Sequence, residues 1–107
     1  MVYEERFSDT ELGQVISEGL VYMCACPAQV ADALRKVREL YRYQQICLNH
    51  PDNDGRVHAE IAQAAIAAHA RLEDCMEQIL LIEKWDRQTL RMPENLRVKQ
   101  LKAITDD

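Results

Sequence analysis

The chain has little of what most folds and most active sites need. Its 107 residues include three glycines, three prolines, one phenylalanine and one tryptophan. So few turn-formers allow only a handful of reversals, which favours long helices over the many short strands of a sandwich or barrel. No apolar run approaches the ~18 residues that a membrane span requires. The opening Met1-Val2-Tyr3-Glu4-Glu5-Arg6 has neither the basic start nor the apolar stretch of a secretory signal. A cytoplasmic location is the expectation, and with it four cysteines kept as thiols or metal ligands rather than two disulfides. Basic residues are the minority, 13 Lys and Arg against 18 Asp and Glu, for a net charge of −5. Without a concentrated basic face, nucleic acid is excluded as the main partner. Arg35, Lys36, Arg38 and Arg42 form the basic cluster of the second helix, and their expected role is to match the acidic helices beside them.

What is present is helical material, enough for one domain with a single core. The composition is rich in Ala, Leu, Glu, Arg and Gln, all good helix formers. Ser8-Asp9-Thr10-Glu11 is a capping box, and Phe7 with Leu12 stands at the two positions of a hydrophobic staple, so a first helix is predicted over 8–24. Gly13 and Gly19 weaken it and leave room for another helix to approach closely. Pro27 suits the first position of a second helix over 27–49, with Cys26 as its cap. Its apolar stripe reads Val30, Ala33, Leu34, Val37, Leu40, Tyr41, Gln44, Cys47, Leu48. The strongest turn signal is His50-Pro51-Asp52-Asn53-Asp54-Gly55, where proline stops one helix and an Asx residue caps the next. A third helix is predicted over 55–91, on the stripe Val57, Ile61, Ala64, Ala65, Ala68, Leu72, Cys75, Met76, Ile79, Ile82. After Pro93, Glu94 to Ile104 forms a shorter amphipathic helix before a frayed end. The expected fold is all-α: a small bundle built on a long antiparallel hairpin, with an N-terminal and a short C-terminal helix. Residues 93–107 form a C-terminal segment that can move against the rest.

Reflecting the hairpin about its turn puts Pro27 opposite Gln78, so residues 79–92 overhang the second helix by ~18 Å or more. That overhang carries Leu81, Ile82, Trp85, Leu90 and Met92. Either the chain's own segments cover it or a partner does, and the tryptophan would anchor such an interface. A two-fold homodimer is the simplest intermolecular cover.

The same hairpin sorts the soft ligands. Cys26 and Cys47 fall ~30 Å apart along one helix, so the cysteines and histidines cannot share one tetrahedral ion. Two clusters remain: Cys47, His50 and His58 near the turn as a metal candidate, and Cys24, Cys26 and Cys75 at the open end as a redox candidate. Neither has paired C-x-x-C spacing, and free cysteine on a core stripe packs as a small hydrophobe. The turn matches a calcium loop at Asp52, Asp54 and Gly55, but His50 and Ile61 stand where carboxylates are required. Phosphate loops, nucleophile elbows, H-E-x-x-H and paired E-x-x-H motifs are missing. No cofactor and no enzymatic activity are expected. The reading is a protein–protein interaction module, an adaptor, chaperone-like factor or inhibitor of a larger complex, with a second copy as partner and no membrane. The alternative is a metal- or redox-responsive protein using one of the two clusters.

Overall fold

The computed structural model describes residues 2–21, 26–48 and 54–93, with only the backbone for Leu20 and Val21. It is all-α, with α1 over Asp9–Val21, α2 over Cys26–Leu48 and α3 over Gly55–Ile82. No strand occurs among the described residues. The C-terminal helix expected over 94–104 lies outside them.

The starts of α1 and α3 follow from their sequence, whereas α2 begins at Cys26, the residue expected as its cap, with Pro27 second. The Glu11 N–H donates to Ser8 Oγ at 3.0 Å, and the Ser8 N–H donates back to Glu11 Oε1 at 2.8 Å. This satisfies two orphan donors reciprocally. Phe7 and Leu12, the staple residues, are both fully buried. At the head of α3 the Asp54 carboxylate accepts from the Arg56 N–H at 3.0 Å, and the bonds from the Arg56 guanidinium, followed by this backbone bond, hold its pKa below the usual carboxylate range.

The end of α3 departs from the prediction. The helix stops at Ile82, nine residues short of the expected Arg91. Lys84 takes a left-handed φ of 62°. Its N–H donates to the Leu81 carbonyl at 3.1 Å, and the Trp85 N–H reaches back to the Leu80 carbonyl at 2.9 Å. That pair of bonds is a Schellman stop, usually built on glycine, and its apolar partners here are Leu80 and Trp85. The chain then turns again at Asp86. Its carboxylate accepts from the Gln88 and Thr89 N–H groups at 2.9 and 3.0 Å, and its backbone exchanges bonds with Leu90 and Arg91. The returning strand of coil carries Leu90 and Met92 inward, and the Met92 N–H donates to the buried Glu18 at 2.9 Å.

Trp85, Leu90 and Met92 are therefore core, not an outward strip on a continuing helix. They retain 6 %, 1 % and 4 % exposure, and pack with Phe7, Leu12 and Val15 of the N-terminal part and Met76 and Leu80 of α3. The apolar end of α3 is covered by its own chain, except for Leu81 and Ile82, which stay exposed at 71 % and 73 %.

Helix α2 packs against both α1 and α3. Its contacts with α3 descend in number: Arg38 meets His69 and Glu73, while Gln44 meets His58. The two helices thus run in opposite directions. The core cluster sits at one end of this pair, where α1 and residues 83–93 add layers. Toward the other end, among residues 39–48 and 54–68, the buried side chains are Gln44, Ala62 and Ala65.

Candidate functional site

Two features stand out, and they lie on adjacent stripes of the same helices. The first is a polar cluster inside the protein. Arg38 on α2 is fully buried, as are His69 and Glu73 on α3 at 1 % exposure each. A buried guanidinium needs its charge and its donors matched. Arg38 Nε donates to His69 Nε2 at 2.9 Å, Nη1 to Asp9 at 2.8 Å, and Nη2 to the Phe7 carbonyl at 2.5 Å and Glu73 at 3.3 Å. Glu73 Oε2 in turn accepts the Arg6 and Phe7 N–H groups at 2.7 and 3.3 Å. Tyr3 closes the cluster from outside, stacked on Tyr41 with ring centroids 4.0 Å apart and tilted against His69 at 5.0 Å. The Tyr3 hydroxyl donates to Glu5, which pairs with Arg42 at 2.9 Å.

The bonding settles the state of His69. A guanidinium has no acceptor, so Nε2 must offer its lone pair and the proton of the neutral ring sits on Nδ1. Nδ1 lies 3.7 Å from Glu73 Oε1, close for attraction but long for a hydrogen bond. Burial lowers the His69 pKa, and the Arg38 and Arg42 charges add to this against the opposing pull of Glu73 and Glu5. Asp9 is held below the usual carboxylate range chiefly by its bond from Arg38. Burial opposes the same shift at Glu5, but the bonds from Tyr3 and Arg42 and the charge of Arg38 outweigh it. The three side chains themselves are at most 1 % exposed. What the cluster does is fasten residues 3–9 across α2 and α3. Of the basic cluster of α2, Arg38 and Arg42 pair with acidic groups outside the helix, Arg38 inside the protein rather than at its surface, while Lys36 pairs with Asp32 of α2 itself.

The second feature is the apolar stripe beside it. The inward residues Ala31, Leu34 and Arg38 of α2 are each preceded by one that is not fully buried: Val30, Ala33 and Val37. On α3 the inward Ala62, Ala65 and His69 are preceded in the same way by Ile61, Ala64 and Ala68. The pattern continues as Glu73, Met76 and Leu80 follow Leu72, Cys75 and Ile79. One residue is a rotation of about 100°. In helices running oppositely, the same shift turns both stripes to one side of the pair, away from the side that the N-terminal segment closes. Leu40 at 44 % exposure and Val57 at 53 % extend the seam. Its named residues are apolar and none is fully buried, although Val30, Leu72 and Ile79 pack in part against the core; their spacings are three or four as in a helix–helix seam, and on α2 the stripe ends before the buried, polar Gln44.

The predicted ligand clusters fare differently. His58 lies against Gln44, with Nδ1 2.6 Å from its side-chain oxygen. Cys47 is half-buried on α2, and His50 lies outside the described residues. Cys26 is exposed and Cys75 half-buried, neither in a disulfide, while Cys24 lies outside the described residues. Among the described residues no three Cys, His, Asp or Glu side chains gather as a metal site. No helix among them is long and apolar enough to cross a membrane.

The polar cluster escaped the sequence reading because Arg38 sits in a basic run and Glu73 in an acidic one, the usual marks of solvated faces. One signal was available: His69, Glu73, Met76 and Leu80 follow the four-three-four spacing of an inward stripe. No family model matches the chain, and neither the curated proteins nor the solved structures searched give a match.

Proposed function

We propose that the protein is a non-enzymatic protein–protein interaction module: a small adaptor, chaperone-like factor or inhibitor of a larger complex. The whole chain is then a small bundle built on the α2/α3 hairpin, completed at its C-terminus by a short helix. The observation that carries this reading is the open seam. Apolar side chains at helix-packing spacing line one side of α2 and α3, and no charged residue interrupts them. Exposed apolar surface that is contiguous and free of charge marks contact sites in soluble proteins.

The earlier anchor, Trp85, is replaced by this seam, since its indole packs within the chain. The polar cluster supports the same reading from the other side. It holds residues 3–9 over the inward stripe, so the helix pair offers a rigid, preorganised face.

The test uses the immobilised full-length chain in an extract of its native host. It should retain a specific protein, and Leu40→Glu combined with Ala68→Glu should release it. Retention by both forms alike, or by neither, would remove the basis for the reading.

A further inference from the structure

We infer that the open seam is occupied by a second copy of this chain, giving a four-helix arrangement in which α2 of each copy lies over α3 of the other. This rests on the interaction reading and names its partner.

Size is the first argument. On α3 the seam runs from Val57 to Ile82, about 37 Å at 1.5 Å per residue, and on α2 from Val30 to Leu40, about 15 Å; each helix is about 10 Å wide. That is roughly 520 Å² a side, or about 1,040 Å² in total, just above the ~1,000 Å² that a specific interface should clear.

Shape is the second. The Arg38–His69 and Gln44–His58 contacts fix the relative heights of the two helices. Leu40 then lies level with Ala64, Val37 near Ala68, and Ala33 near Leu72. At these three levels a large residue on one helix is matched by a small one on the other. A two-fold axis parallel to the helices keeps these heights and exchanges the helices. It sets Leu40 over Ala64 of the second copy, Val37 over its Ala68, and Leu72 over its Ala33. At these levels large side chains meet small ones, which is how close-packed layers interdigitate. Every neighbouring helix pair in this arrangement is antiparallel, as in four-helix bundles with short loops.

Charge is the third. A chain of net −5 repels its own copy unless contact falls where charge is absent. Residues 61–70, which carry the seam's Ile61, Ala64 and Ala68, contain no Asp, Glu, Lys or Arg.

The experiment is sedimentation equilibrium on the purified full-length chain at physiological salt, beside Leu40→Glu and Ala68→Glu. Both positions are exposed in the single chain, so helicity by circular dichroism should be unchanged. The wild-type protein should sediment at twice its 12.4 kDa mass. Each variant should weaken the dimer by about a hundredfold or more, because each places two carboxylates in an apolar contact. A monomeric wild-type protein would overturn the second copy as occupant. If its extract partner still depended on Leu40 and Ala68, the interaction reading would stand without it. A dimer that both variants leave intact would place self-association elsewhere and overturn the proposal.

Discussion

Two neighbouring stripes of the same helices have exchanged their expected chemistry. The stripe that closes the protein holds Arg38, His69 and Glu73 among its apolar members, all at or below 1 % exposure. The stripe one residue earlier on each helix is wholly apolar and remains partly open. A monomeric helix pair obeying burial alone would be rotated by about 100° to hide the second and wet the first. The N-terminal segment prevents this. Its Phe7 carbonyl, Asp9 carboxylate and two backbone N–H groups supply the partners that make a buried guanidinium and carboxylate tolerable. The comparison teaches that polar matching can decide which face of a helix pair is inside, leaving the apolar face for another molecule.

The largest expected effect comes from breaking the inward stripe. Arg38→Ala strands Glu73 as a buried charge and should cost about 3–5 kcal/mol in urea unfolding, whereas Leu40→Ala should cost under ~1 kcal/mol in dilute solution. Trp85→Ala comes next. It empties a packed site shared by Phe7, Leu80 and Met92 and should cost about 3 kcal/mol or more. The tryptophan emission of the wild-type chain should stay blue-shifted on dilution. An emission that moves to the red would return Trp85 to an intermolecular surface.

The pH dependence sharpens the comparison further. The folded pKa of His69 is lowered, so between the folded and unfolded values the unfolded chain binds more protons. Stability is full above about pH 6.5, the unfolded value, and falls as pH drops below it. Asp9 and Glu5, with lowered pKa values, lose their contribution only at lower pH, from about pH 4 downward. His69→Gln, which can still accept from Arg38, should abolish the first decline in a thermal-melt series and leave the second. The smallest effect is at the α3 stop. Lys84→Gly relieves a left-handed lysine and should stabilise by about 1 kcal/mol, read as a raised melting temperature.

Much of this fold is legible in the residues. The capping box at Ser8 and Glu11 and the Asx cap at Asp54 each fulfil a local rule with few competitors. The end of α3 was not legible, because its stop places lysine where glycine is usual and because Arg87, Leu90 and Met92 continue a plausible helical pattern. Asp86 was the available clue, as an Asx turn-former in the middle of that pattern. The side of the pair that faces inward was not legible either. Hydrophobic periodicity gives the stripe beginning at Val30 and Ile61 at least as strong a claim to the core as the one beginning at Ala31 and Ala62. Only the long-range bonds from residues 6–9 to Arg38 and Glu73 decide between them, and no local spacing encodes those.

The most direct measurement is a pairwise comparison of Arg38→Met with Leu40→Gln by urea denaturation, at a concentration where the chain is monomeric. Arg38→Met should lose several kcal/mol, since a long apolar side chain fills the space but leaves Glu73 and the Phe7 carbonyl without their donor. Leu40→Gln should unfold within about 0.5 kcal/mol of the wild-type protein, as a surface substitution does. The reverse order, with Leu40→Gln the costlier by 2 kcal/mol or more, would show that the apolar stripe is the core and contradict the account.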